Sequence, residues 1–225
     1  MPEKYISYGG GVGSTGLILK MLPEVKAGDV EVIYAKTGAD LPETDQYLDY
    51  LQQNLDLDIT TVSAQESLYD FCWRHNTIPH RAWRWCTDKF KIRPILKYTG
   101  RRDEPCFGLT WDERWRARDF TVKGTPCHQP FVNQGISRAL VLPQIEKADI
   151  KTPCKSGCFF CPFQSKERWR ELFFNHPDLY EKAALLEERA MRNRSGNILS
   201  PTGRTLRVLE KEFREQAVLI KWVEL

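Results

Sequence analysis

The sequence predicts an α/β domain with a mostly parallel sheet and flanking helices, followed by a helical region that bears cysteines. Three observations predict it. Short apolar runs of strand length alternate with segments of helical period over the first 110 residues or so, the pattern of βαβ units. Beyond about residue 131 the strand-like runs give way to helical periods around a cysteine-rich turn. The length of 225 residues, 41% of them hydrophobic, suits one domain with an appendage or two small domains.

Each element has its own signal. Lys4–Tyr8 reads as a short buried strand, Gly9–Gly13 as a loop, and Ser14–Met21 as a helix with Ser14 near its start. Val30–Tyr34 is a second strand. It runs into AKTGADLPET, where Pro42 and Glu43 announce a helix up to Leu55. Ile59–Val62 is a third strand and Leu68–His75 a helix. A further helix is predicted over Phe90–Tyr98, interrupted near its start by Pro94, and a fourth strand over Pro105–Leu109. Ser137–Lys147 reads as helical despite Pro143, as do Ser165–Phe174, Pro177–Arg194 and Thr205–Val223. The change of character places a boundary near residue 130. Residues 1–130 form an α/β domain and residues 131–225 a helical region with the cysteine cluster.

Composition narrows the function classes. The formal charge of +3 is too small an excess to argue by itself for nucleic acid. It is uneven, however: His80–Arg93 and Arg101–Arg118 are both rich in Arg and Trp. No apolar run of 18 residues is present, so no membrane span is expected. The first strand follows Met1 almost directly, without a signal peptide, which makes a cytoplasmic location the expectation. There the seven cysteines would be reduced, and metal or catalytic roles outrank disulfides.

Five of the ten residues Ser7–Gly16 are glycine, more than a turn requires. Between a first strand and a first helix, glycine lets backbone N–H groups approach an anion, and the helix N-terminus adds favourable partial charge. Gly11-Val12-Gly13-Ser14-Thr15-Gly16 fits the dinucleotide pattern G-x-G-x-x-G. A Walker loop would need a lysine, which is missing. The third reading is a pyrophosphate loop of the type S-G-G-x-D-S.

Four ordered segments choose between these readings. Thr37-Gly38-Ala39-Asp40-Leu41-Pro42-Glu43-Thr44 resembles the T-G-x-x-x-P-E-T segment of the phosphoadenylyl-sulfate (PAPS) reductase family. Cys86-Thr87-Asp88-Lys89-Phe90-Lys91-Ile92-Arg93-Pro94-Ile95 resembles its C-T-x-x-x-K-x-x-P-I. Gly108 to Arg116 is similar to its G-x-x-x-D-E-x-x-R. Lys155 to Phe163, with Trp169 beyond, resembles the C-x-x-C-P box of its iron–sulfur branch. The resemblance implies the adenine nucleotide α-hydrolase-like (PP-loop) fold. It also implies an enzyme that binds ATP or an adenylyl-sulfate through the glycine loop and acts in α-phosphate cleavage or sulfur transfer. Enzymes of DNA phosphorothioation and tRNA thiolation are cousins on that fold.

The residues that would carry this function follow from the same segments. Gly9, Gly10, Gly11, Val12, Gly13, Ser14 and Thr15 would hold the phosphates. Thr37, Gly38, Asp40 and Glu43 would lie near the nucleotide, though Asp40 and Glu43 read equally well as a helix cap and a first-turn acid. Asp112 and Glu113 belong to an anion-facing loop or to a surface ion-pair cluster. Lys89, Lys91 and Arg114 would neutralise the substrate. Gly13 stands where the pyrophosphate loop has its aspartate, so the carboxylate that helps hold Mg²⁺ for ATP is missing there.

Cys154, Cys158 and Cys161 form C-x-x-x-C-x-x-C, a spacing that converges thiolates on one metal or cluster. Cys86 is the candidate fourth ligand, and family resemblance favours a [4Fe–4S] cluster over Zn²⁺. Cys127, beside His128, is either a buried thiol or a substitute ligand; Cys72 and Cys106 read as buried thiols. The last cysteine is Cys161, and the final 64 residues have none. That weighs against a reductase attacking with a C-terminal thiol. Reduction of PAPS to sulfite through Cys86 or a thiol near the cluster is one alternative. A non-catalytic nucleic-acid-binding or assembly module is another. The partners consistent with these readings are an adenine nucleotide, a nucleic acid, and a sulfur carrier or cysteine desulfurase.

Overall fold

The computed structural model describes residues 3–100, 104–117, 121–122, 125–154, 156–192 and 198–223. Arg101, Arg118 and Lys155, which the sequence singles out, lie outside the described residues. In chain order the elements are β1 (Lys4–Tyr8), α1 (Val12–Lys20), α2 (Leu22–Ala27), β2 (Val30–Lys36), α3 (Pro42–Leu55), β3 (Ile59–Ser63) and α4 (Leu68–His75). A single turn α5 (Trp85–Thr87) leads into a π-helical turn, Asp88–Ile92, and then α6 (Arg93–Thr99). After β4 (Glu104–Cys106) come a 3₁₀ turn, Trp111–Arg116, and a small hairpin of β5 (Thr121–Val122) and β6 (Thr125–Pro126). The remainder is helical: α7 (Pro130–Asn133), α8 (Arg138–Lys147), α9 (Lys166–Asn175), α10 (Pro177–Arg192) and α11 (Leu206–Val223).

The chain packs as two compact units that interleave in sequence. Residues 1–65 and 88–157 make the first, and residues 66–87 and 158–225 the second. This differs from a single boundary at residue 130, and the reason is packing. The α/β unit is built on a four-stranded parallel sheet of order β3-β2-β1-β4. Successive strand residues point to opposite faces. Ile6, Tyr8, Val32 and Tyr34 therefore share one core with Leu17, Ile18, Leu48 and Leu51. Tyr5, Ile33 and Ala35 face the other way, against Ile95. Phe131, Val141 and Ile145 complete the first of these cores although all three follow residue 130. Gly16 on α1 makes room for them: a Cβ there would overlap Val141 Cγ1 and lie 3.5 Å from Phe131 Cζ.

β4 is shorter than the predicted strand. Cys106 bridges His128 in parallel, with Phe107 N donating to His128 O at 2.9 Å. The chain then leaves the sheet, and Trp111 N donates to Ile136 O at 2.8 Å. Gly108 and Leu109 thus belong to a loop at the strand's C-terminal end.

The second unit is helical. Trp169, Leu172, Tyr180, Leu206, Leu209 and Phe213 are buried, with Trp169 and Tyr180 edge to face at 6.2 Å. Glu187 is buried among them at 1% exposure. Its two oxygens accept from Leu199 N at 2.7 Å and Leu206 N at 2.6 Å, so one carboxylate ties α10 to the start of α11. Among the described residues no helix is long and apolar enough to cross a membrane.

Candidate functional site

The glycine loop sits at a topological switch point. β1 is central, its chain continuing to β2 on one side while β4 flanks it on the other. Ligands of open α/β sheets bind at such a crevice, beyond the carboxyl ends of the strands. The loops after β1, β2 and β4 meet there. A Cβ on Gly10, which has φ +71°, would lie 3.0 Å from Thr44 Cγ2 and 3.1 Å from Ser156 Cβ. One on Gly11 would come within 3.4 Å of Ser156 Oγ. Gly13 and Gly108 pack backbone to backbone. A Cβ on Gly13 would overlap the Gly108 carbonyl oxygen, and one on Gly108 would lie 2.6 Å from Ser14 Cα.

Local hydrogen bonding shapes the loop. Gly11 is the N-cap of α1, in extended conformation, and the first turn carries no acidic residue. Gly9 N and Gly11 N both donate to Ser14 Oγ at 3.3 Å, and that hydroxyl donates to Gly11 O at 3.0 Å. Two backbone amides therefore already converge on a single oxygen. Backbone donors so arranged, at a helix N-terminus, are the chemistry that holds an anion. The side chains of Val12 and Thr15 face inward instead. Val12 is 1% exposed, and fully buried Thr15 pairs its Oγ1 with the Tyr8 hydroxyl at 3.3 Å. Burial raises the Tyr8 pKa above the ordinary tyrosine value, so it stays a neutral partner.

The candidate acids have structural duties. Asp40 Oδ2 accepts from Thr37 N at 2.8 Å and Thr37 Oγ1 at 2.9 Å, closing the turn around Gly38. Asp112 Oδ2 accepts from Arg138 N at 2.6 Å, and this bond holds its carboxyl below the usual range. Glu113 pairs with Arg116. Glu43 lies in the first turn of α3. Of the basic candidates, exposed Arg114 stacks over Trp111 at 4.8 Å and donates to Trp111 O at 3.2 Å. Lys89 and Lys91 lie on the π-helical turn ahead of α6, with Lys89 Nζ 5.9 Å from the Phe90 ring centroid.

The candidate cluster ligands divide between the two units. Exposed Cys154 belongs to the α/β unit, whereas Cys86, Cys158 and Cys161 belong to the helical unit. Cys161 N donates to Cys158 O at 3.0 Å, closing a turn between the pair. Buried Cys72, read from sequence as a plain core thiol, lies near enough to feel the charges of Cys86 and Cys158. Burial, then those two charges, pushes its pKa up. Among the described residues no three cysteine, histidine or carboxylate side chains come together to hold a metal ion. Among the described residues the side chains present no ready ligand set for a cluster, and no chemical step is derived through one.

Sequence reasoning missed Ser156 and Gly108 as parts of the loop site. Both lay inside quoted segments, but nothing in their spacing to Gly9–Gly13 announces contact.

Residues 5–109 match the family model of the phosphoadenosine phosphosulfate reductase domain. Among solved structures the chain is similar to the crystal structure of phosphoadenylyl-sulfate (PAPS) reductase from Candida auris in its phosphate complex. The two share 16% identity over 68% of this chain and 76% of that one, with a TM-score of 0.48. No curated protein matches the sequence. The similarity to the phosphoadenosine phosphosulfate reductase domain thus spans residues 5–109, just under half of the chain.

Proposed function

We propose that the protein is a PAPS-reductase-like enzyme that binds an adenylyl nucleotide, ATP or an adenylyl-sulfate, by its phosphate on the loop Gly9–Thr15. The observation that carries this reading is the convergence of Gly9 N and Gly11 N on one oxygen at the switch point of the sheet. A phosphate oxygen would take the place of the Ser14 hydroxyl, which is then free to donate to the same anion. The side-chain roles follow from charge. Lys89, Lys91 and Arg114 would neutralise negative charge developing on the α-phosphate or sulfuryl group, as preorganised cations do.

The adenylyl-sulfate form of the reading is favoured over cleavage of ATP. Magnesium-assisted cleavage draws on a carboxylate at the loop, and the position of that aspartate is Gly13. No side chain fits there, because the Gly108 carbonyl oxygen fills the space. Asp40, Asp112 and Glu113 are already engaged in the bonds described above.

Titration calorimetry with adenylyl sulfate and with ATP–Mg²⁺, together with a pyrophosphate assay, tests the reading. Adenylyl sulfate is expected to bind, with affinity reduced about tenfold in Lys89→Ala and in Lys91→Ala, the order of one charge-assisted contact. ATP is expected to release no pyrophosphate. Failure of both nucleotides to bind would sink the proposal.

A further inference from the structure

The helical unit carries an exposed surface that the small-nucleotide reading does not use. Ile78, 2% exposed, and buried Pro79 anchor the segment after α4. The next residues swing outward: Arg81, Ala82, Trp83 and Arg84 are all exposed, Trp83 at 75%. His80 Nδ1 accepts from Ala82 N at 3.2 Å and bends the segment. The two arginines both lie over a single ring. Their guanidinium carbons lie 5.7 Å (Arg81) and 5.3 Å (Arg84) from the centroid of Phe163, itself 45% exposed. In the same unit Arg189 lies 4.7 Å from the ring of Trp73, 37% exposed, and donates from Nε to Trp73 O at 2.9 Å.

Charge is uncompensated here. Residues 76–87 contain no Asp or Glu. Among the described residues neither Arg81, Arg84 nor Arg189 is in an ion pair, although the unit has carboxylates enough to saturate Arg207 with Glu181, Glu188 and Glu210. A guanidinium stacked on a ring keeps its N–H fork free for a phosphate. An indole left mostly in water offers its π-face to another flat ring. A mononucleotide needs one stack and one phosphate clamp. Trp83 is the ring open to a base, while Trp73 and Phe163 hold arginines against their rings; with three arginines outside any ion pair among the described residues this exceeds a mononucleotide's need, and it matches a chain of unpaired bases on a phosphate backbone. A duplex would hide its base faces from such a surface.

We propose that the exposed surface formed by Arg81, Trp83, Arg84 and Phe163, extended by Trp73 and Arg189, binds single-stranded nucleic acid by alternating base stacking and phosphate contact. The inference is independent of nucleotide binding on the glycine loop, and a different ligand tests it.

The experiment is fluorescence anisotropy of the full chain with end-labelled oligouridine and oligothymidine of about 12 nucleotides, within the usual site size of such surfaces. Binding is measured across a salt series, with inorganic polyphosphate, an acidic peptide and ATP as competitors. Circular dichroism confirms that each variant keeps its helices. Wild type is expected to bind both oligonucleotides, and a preference for one assigns the natural sugar. Trp83→Ala should weaken binding roughly 5- to 150-fold, the range for loss of one stacked base. The double substitution Arg81→Gln/Arg84→Gln should flatten the slope of log affinity against log salt by about 1.4, two phosphates' worth on a single strand. Three results would overturn the proposal. One is no binding at low salt. Another is a folded Trp83→Ala protein that binds like wild type. The third is displacement of the oligonucleotide at matched charge by polyphosphate, by the acidic peptide or by ATP.

Discussion

The two units present opposite kinds of surface. The α/β unit presents backbone: amides of Gly9 and Gly11, a close backbone contact between Gly13 and Gly108, and carboxylates that brace loops. The helical unit presents side chains: exposed rings, arginines stacked on them, and thiols near one another that form no metal site among the described residues. A backbone site tolerates changes of side chain but not the addition of a Cβ. A side-chain site tolerates small shifts of backbone but fails when one ring or charge is removed. This contrast can be broken or sharpened by substitution.

The largest effect is expected at Gly108. Gly108→Ala would drive a methyl group into the Gly13 backbone and to 2.6 Å from Ser14 Cα. Nothing flexible is there to yield, so about 3 kcal/mol of stability should be lost, the upper range for overpacking. Nucleotide binding should go with it. Gly9→Ala is the control, since its Cβ meets only Ser14 Oγ at 4.0 Å. Urea unfolding of the two variants measures the difference; equal midpoints would mean that the loops are not interlocked.

Next comes Glu187, the corresponding brace in the helical unit. Glu187→Ala leaves the amides of Leu199 and Leu206 without their acceptor, at about 2 kcal/mol. A pH dependence follows. Burial raises the Glu187 carboxyl above the ordinary glutamate range, although both amide bonds pull it down. A raised pKa means that the folded state favours the protonated form. Its stabilising contribution is therefore complete below the ordinary glutamate range and is lost as pH rises through the folded value. The advantage of wild type over Glu187→Gln should grow as pH falls from about 7 toward about 4. Denaturation midpoints of the pair across pH check the sign.

A smaller loss, about 1 kcal/mol, is expected from Asp40→Ala, which removes the acceptor of Thr37 N and Oγ1. Asp40→Asn should recover most of it, because a single amide oxygen can serve both donors. If Asn instead abolishes nucleotide binding while stability is kept, Asp40 acts on the ligand and not on the loop. The smallest effect belongs to Cys154. It is exposed and lies in the other unit from Cys158 and Cys161. Cys154→Ser should leave the midpoint within about 0.5 kcal/mol and the iron content of anaerobically purified protein unchanged. Loss of iron in this variant would restore it as a ligand.

Much of the α/β unit was legible because its signals are local. β1, β3 and α3, and α4 of the helical unit, lie within a residue of their predicted bounds. Apolar runs and Pro42 at a helix start are decided by neighbours in the chain. The glycine loop was legible for the same reason: strand, glycines and helix are contiguous. The end of β4 was not. Whether Leu109 continues a strand depends on what lies beside it, and the segment beside β4 is His128, which follows it by more than twenty residues.

The sequence by itself determined that a glycine loop follows a buried strand and that the sheet is parallel. Tertiary structure decided what lies against that loop. It brought Gly108 against Gly13 and Ser156 over Gly10. It gave Phe131, Val141 and Ile145 to the sheet, and it placed Cys154 in a different unit from its three presumed partners. The physical reason is the range of the forces involved. Turn chemistry and strand periodicity act over a few residues and are written in order along the chain. Packing contacts and ligand sets join residues far apart in sequence, and only burial of the whole chain selects which of them meet.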